Sequence, residues 1–266
     1  DAVLRQQPDN GDAWAWRTAI LMVQADYAAA RRSCDGLAAQ ATPLIGAACR
    51  AQVDAATGQA AAAASALRTA LAQQPDASAE ARLWALTRLA ETEERRGAFP
   101  AAEAAFRSAL ALGLPDAYLQ AAYADFLLDR GRPAEVLALL KDRGRADVLL
   151  LRLALAAKAA GDASAASHAQ ALAARFAAAA QRGDASHRKE EARFALGVQG
   201  DAARALPLAQ QNFAVQKEPA DARILLEAAL AARQPAAAQP ALDWMAASGI
   251  ESVALQPLAA ALKALR

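Results

Sequence analysis

Two histidines, two cysteines and a few clusters of charge are the residues of this chain that could do chemistry. His168 follows Ser167, but a serine becomes a nucleophile only beside a base that an acid orients, and no acid completes that set. His187 opens the run His187-Arg188-Lys189-Glu190-Glu191. A metal site needs three or four His, Cys or carboxylate ligands converging on one point. The two histidines stand 19 residues apart, and no Cys or acidic pair lies at ligand spacing. The run therefore reads as the solvated first turn of a helix, with Glu190 and Glu191 at the positive end of its dipole. The run Glu91-Thr92-Glu93-Glu94-Arg95-Arg96 sets acids before bases ahead of Gly97. That order suits a helix C-terminus and allows the pair Glu91–Arg95. No Gly-rich loop is built to cradle phosphate. These patterns predict no catalytic residue, no metal site and no cofactor, and the chain reads as non-enzymatic.

The elements that carry these residues follow from composition. Alanine supplies 84 of 266 residues and aromatics only 5%. Alanine is the best helix former and a poor strand residue, so an all-α fold is expected. Lys and Arg number 29 against 28 Asp and Glu, a net charge of +1, which argues against a basic nucleic-acid surface. No run approaches the roughly 20 apolar residues of a membrane span. The best candidate, Val148 to Ala157, is broken by Arg152 and followed by Lys158 and Asp162.

Glycine and proline punctuate the chain. Gly58, Gly97, Gly131, Gly161 and Gly200 alternate with Pro8, Pro43, Pro75, Pro115 and Pro219. Glycine reaches the left-handed conformation that ends a helix, and proline stops one helix or opens the next. Between them, Leu83, Leu86, Leu89 and Ala90 form one helical face, and Phe99, Ala102, Phe106, Ala109 and Leu110 form another. The expected pattern is helix, tight turn, helix, looser turn, repeated about every 35 residues.

This pattern resembles the tetratricopeptide repeat family. Three stretches carry the resemblance best. They are Asp12-Ala13-Trp14 with Tyr27, Ala30 and Pro43; then Leu86, Leu89 and Ala90 with Gly97, Phe99, Ala102, Phe106, Ala109 and Pro115; then Ala117, Tyr123, Ala124, Leu127, Gly131 and Val136. Later stretches are degenerate, and Asp221–Ser248 has Gln234-Pro235 where a mid-hairpin glycine belongs. The resemblance implies a single right-handed solenoid of helical hairpins, with units at 12–43, 44–77, 78–116, 117–146, 147–185, 186–219 and 220–249. Residues 252–266 read as a capping helix, and 1–8 as the tail of a preceding unit in a longer chain. Each unit of such an array touches only its neighbours.

In this family the first helix of each hairpin lines a concave groove that binds protein or peptide partners. Its pattern falls on Trp84, Thr87, Glu91, Arg95, Tyr118, Asp125, Asp129, His187, Glu190 and Phe194. Trp84 and Tyr118 read either as partner anchors or as helix-packing residues. A subclass that clamps a C-terminal carboxylate is not expected, because Ala15 and Ala19 occupy its positions and no Asn stands in any first helix. Cys34 and Cys49 fall on neighbouring helices. They read as a disulfide in an exported protein, with two buried thiols as the alternative. The expected function is a protein-interaction scaffold, with the bacterial periplasm or envelope favoured over the cytoplasm. The alternative is an accessory domain of an enzyme or envelope assembly factor whose chemistry lies outside this chain.

Overall fold

The computed structural model describes residues 1–184 and 186–265, and no strand occurs among them. Residues 185 and 266, which close two of the expected stretches, lie outside the described residues. A short helix α1 (Ala2–Gln6) precedes consecutive helix pairs. These are α2 (Gly11–Val23) with α3 (Tyr27–Gln40), α4 (Pro43–Ala56) with α5 (Ala60–Gln73), and α6 (Ala79–Arg95) with α7 (Phe99–Leu110). Next come α8 (Ala117–Asp129) with α9 (Pro133–Leu139), and α10 (Asp147–Ala160) with α11 (Ala165–Gln181). Helix α12 (Arg188–Arg193) continues as a π-helical stretch, Phe194–Gln199, before α13 (Ala202–Val215). Then α14 (Pro219–Ala231) leads through a 3₁₀ turn, Pro235–Ala238, into α15 (Gln239–Ser248), and α16 (Leu255–Ala264) closes the chain. The fold is all-α, with consecutive helices packed in pairs.

Local chemistry sets the helix ends. Asn10, Asp26, Ser78 and Asp116 are N-caps whose side chains accept the amides of Ala13, Ala29, Ala81 and Leu119. Gly58, Gly97, Gly131, Gly161 and Gly200 all adopt positive φ at the turns within pairs. Two turns do without glycine: Ala25 takes φ 60° in the first and Arg233 φ 54° in the last.

The helices fall into two compact units. The first holds Asp1–Leu114, Val215–Pro219 and Pro240–Pro257; the second holds Pro115–Ala214, Ala220–Gln239 and Leu258–Arg266. In the first, Met22, Leu37, Cys34, Cys49 and Val53 form a core against which Trp14, Tyr27 and Trp84 pack. Helices α3 and α4 approach closely because Gly46 lacks a side chain: a Cβ there would come within 2.8 Å of the Ala38 Cβ. Cys34 and Cys49, both wholly buried, are joined across this contact with Cα atoms 5.5 Å apart. In the second unit, Leu150, Leu151, Leu172, Phe176 and Phe194 form a core, with the two Phe rings 5.6 Å apart.

In the first unit, contacts are not confined to neighbouring pairs. Trp244 Nε1 donates to Tyr27 Oη (2.9 Å), and the Ala60 amide donates to Glu251 Oε2 (3.0 Å). The Val253 amide donates to the Arg95 carbonyl (2.9 Å). Val253, near the start of the stretch 252–266, thus meets the third hairpin. Helices α5 and α6 leave terminal backbone groups that distant chain can satisfy.

Candidate functional site

In the second unit the helices that open each pair converge on two carboxylates of α8. Asp125 and Asp129 are one turn apart and therefore share a face. Arg152 of α10 grips Asp125 with Nε and Nη2, at 3.0 and 2.6 Å. Arg193 of α12 grips the same carboxylate with Nη1 and Nη2, both at 2.9 Å. Asp129 accepts two bonds from Arg223 of α14, which also donates to Glu227 (2.7 Å). Three carboxylates and three guanidiniums form one self-neutralised cluster drawn from four helices.

Burial and charge compete at this cluster. Burial alone would raise the Asp125 carboxyl, but the Arg152 and Arg193 guanidiniums outweigh it and hold the group far below the usual carboxylate range. Burial likewise opposes charge on Arg223, and the bonds to Asp129 and Glu227 overcome it, so its pKa is raised. Arg193 is raised in the same way by Asp125. Asp125, Arg193 and Arg223 are thereby held in their charged forms. Such a cluster holds helices in register.

A second polar group lies nearby in the same unit. Asp221, wholly buried in the first turn of α14, accepts from Asn212 Nδ2 at 2.8 Å and faces Lys189 Nζ at 3.5 Å. Among the described residues, no group of three or more His, Cys, Asp or Glu is placed to hold a metal. No helix among them is long and apolar enough to cross a membrane.

The ten residues expected along a groove divide between the units. Trp84, Thr87, Glu91 and Arg95 belong to the first, and the other six to the second. Two of the ten are buried and cannot line an open surface. Thr87 is 2% exposed and donates to the Leu83 carbonyl within its own helix. Phe194 is 1% exposed because the π-helical stretch begins there and its ring packs on Phe176. Trp84 is partly buried against the Cys34–Cys49 core. Glu91 pairs with Arg88 at 3.1 Å, and Arg95 Nη2 reaches Thr92 Oγ1 at 3.5 Å. His187 precedes α12, with Nε2 3.7 Å from Asp184, and Glu190 sits in that helix's first turn. Asp125 and Asp129 are engaged in the ion cluster. Tyr118 alone of the ten is strongly exposed, at 55%.

The pattern of groove positions missed Arg152, Arg193, Arg223 and Glu227. Arg152 did carry a signal, as the single charge inside an apolar run: a cation there must find a carboxylate. It also missed Trp16, which is 71% exposed on α2 one turn before Ile20, at 52%. Neither a known protein-family model nor a curated protein sequence matches this chain.

Proposed function

We propose that this chain is a non-enzymatic protein-interaction scaffold of tetratricopeptide type, a right-handed array of helical hairpins that binds a protein or peptide partner. Its paired helices with left-handed turns at Gly58, Gly97, Gly131, Gly161 and Gly200 support the array. One observation carries the binding role. Trp16 and Tyr118, the two strongly exposed aromatic side chains among the described residues, stand on helices that open a pair, α2 and α8. Exposed Trp and Tyr are the side chains that anchor interfaces at low entropic cost. The Cys34–Cys49 bond supports an oxidising compartment, and with it the periplasm or envelope.

The test uses wild-type chain, Trp16→Ala and Tyr118→Ala as baits in an extract of the source cells. Trp16 is 71% exposed, so its substitution should change stability by no more than about 0.5 kcal/mol, and thermal unfolding followed by circular dichroism checks that both variants are folded. A partner retained by wild type should bind at least one variant about 30-fold more weakly, the loss of one anchor of about 2 kcal/mol. Equal retention by all three, with helicity unchanged, would overturn the assignment of these anchors.

A further inference from the structure

Three helix ends in the first unit are completed by chain from far along the sequence. Helix α5 has no side-chain N-cap, and the Ala60 amide is one of its first-turn donors, which find no acceptor within a helix. Glu251 accepts that amide, adding a carboxylate at the positive end of the α5 dipole. The Arg95 carbonyl, in the last turn of α6, takes the Val253 amide. The Val23 carbonyl, at the end of α2, takes the Lys217 amide at 2.8 Å.

The C-terminal contacts run in order. Trp244 meets Tyr27 beside the first hairpin turn. Gly249 then passes the second turn so closely that a Cβ on Gly58, already at φ +76°, would come within 2.9 Å of the Gly249 carbonyl oxygen. Glu251 caps α5 in that same turn, and Val253 closes on the third, its side chain over Gly97. Ile250 and Ser252, between these contacts, are buried. The second half of α15 and the five residues after it thus run along the turn edge of three successive hairpins.

We infer that Trp244–Val253 is a strap that closes over this turn edge and opens as one unit. A peripheral segment that rides on three separate turns, anchored by the burial of Trp244, Ile250 and Ser252 as well as by these hydrogen bonds, opens at a lower free energy than the cores beneath it. Opening frees the Ala60 amide and the Arg95 carbonyl together.

Native-state hydrogen exchange of the full chain tests this, comparing wild type with Tyr27→Phe and Glu251→Gln. Tyr27→Phe keeps the ring and removes only the acceptor of Trp244, at the far end of the strap from Val253. In a strap that opens as one unit, it speeds exchange of both the Ala60 and the Val253 amides by about fivefold, one hydrogen bond's worth. Glu251→Gln speeds the Val253 amide to a similar extent. Wild-type rates at Ala60 and Val253 in Tyr27→Phe would show three independent contacts and overturn the inference. So would wild-type exchange at these amides as slow as in the buried middle of α4, since the segment would then open only on global unfolding.

Discussion

Replacing Asp125 with asparagine should separate an ion cluster that holds the second unit together from a decorative one. The carboxylate accepts four bonds from two forked guanidiniums. Asparagine keeps the shape but offers one oxygen, and turns an NH2 group toward donors. Breaking one partner out of a buried ion pair costs about 3–5 kcal/mol. Here the Asp125 side chain is 26% exposed and Arg152 8%, so the low end applies, about 3 kcal/mol. Urea unfolding followed by circular dichroism at pH 7 measures it. The acid limb gives a second, independent number. The folded-state pKa of Asp125 lies well below that of an unfolded aspartate, near 3.9. Its contribution is therefore fully present above about pH 5 and is lost as pH falls, because the unfolded state takes up the proton first. Between pH 7 and pH 3 the gap between wild type and Asp125→Asn should narrow by about 1.3 kcal/mol. A loss below about 1 kcal/mol at pH 7, or a gap that does not change with pH, would refute the reading of Asp125 as the charge that binds α10 and α12 to α8.

Two further perturbations test the first unit. Ala25 sits at φ 60°, where other turns use glycine, and a non-glycine residue there costs about 1–2 kcal/mol. Ala25→Gly should raise stability by about 0.5–1 kcal/mol after the flexibility it adds to the unfolded chain, read as a higher melting temperature; a lower one would show that the turn is not strained. Thiol titration of denatured, unreduced protein from its native compartment should find no free thiol, and reduction should cost about 3 kcal/mol for a loop of 15 residues. Two free thiols per chain would remove the bond and the case for an oxidising compartment.

What could be read from the sequence was local. A helix that ends in a tight turn needs a residue that tolerates positive φ, so glycine marks the turn wherever it is used. Caps act over three residues and leave a trace of the same length. This is why the paired helices were legible in outline. At Ala25 and Arg233 the positive φ itself was not legible, because the turn geometry is kept there without the residue that announces it. The partition into two units was illegible for a different reason. Glu251 is an ordinary surface glutamate by its neighbours in sequence, and nothing near it encodes an amide 191 residues away.

The ion cluster shows where the boundary of legibility lies. Asp125 and Asp129 were picked out by their place on the opening helix of a pair, and that place is real. The groove pattern placed them on that face without naming the arginines they pair with. The energy balance supplies those partners. Arg152, 8% exposed in its side chain within an apolar helix, must have a counter-charge, and α8 is the neighbour that supplies one. Once Asp125 is drawn to Arg152, Arg193 can share the same carboxylate, and Asp129 one turn along is left for Arg223. An arginine inside an apolar run therefore predicts a buried pair before any repeat pattern predicts a groove.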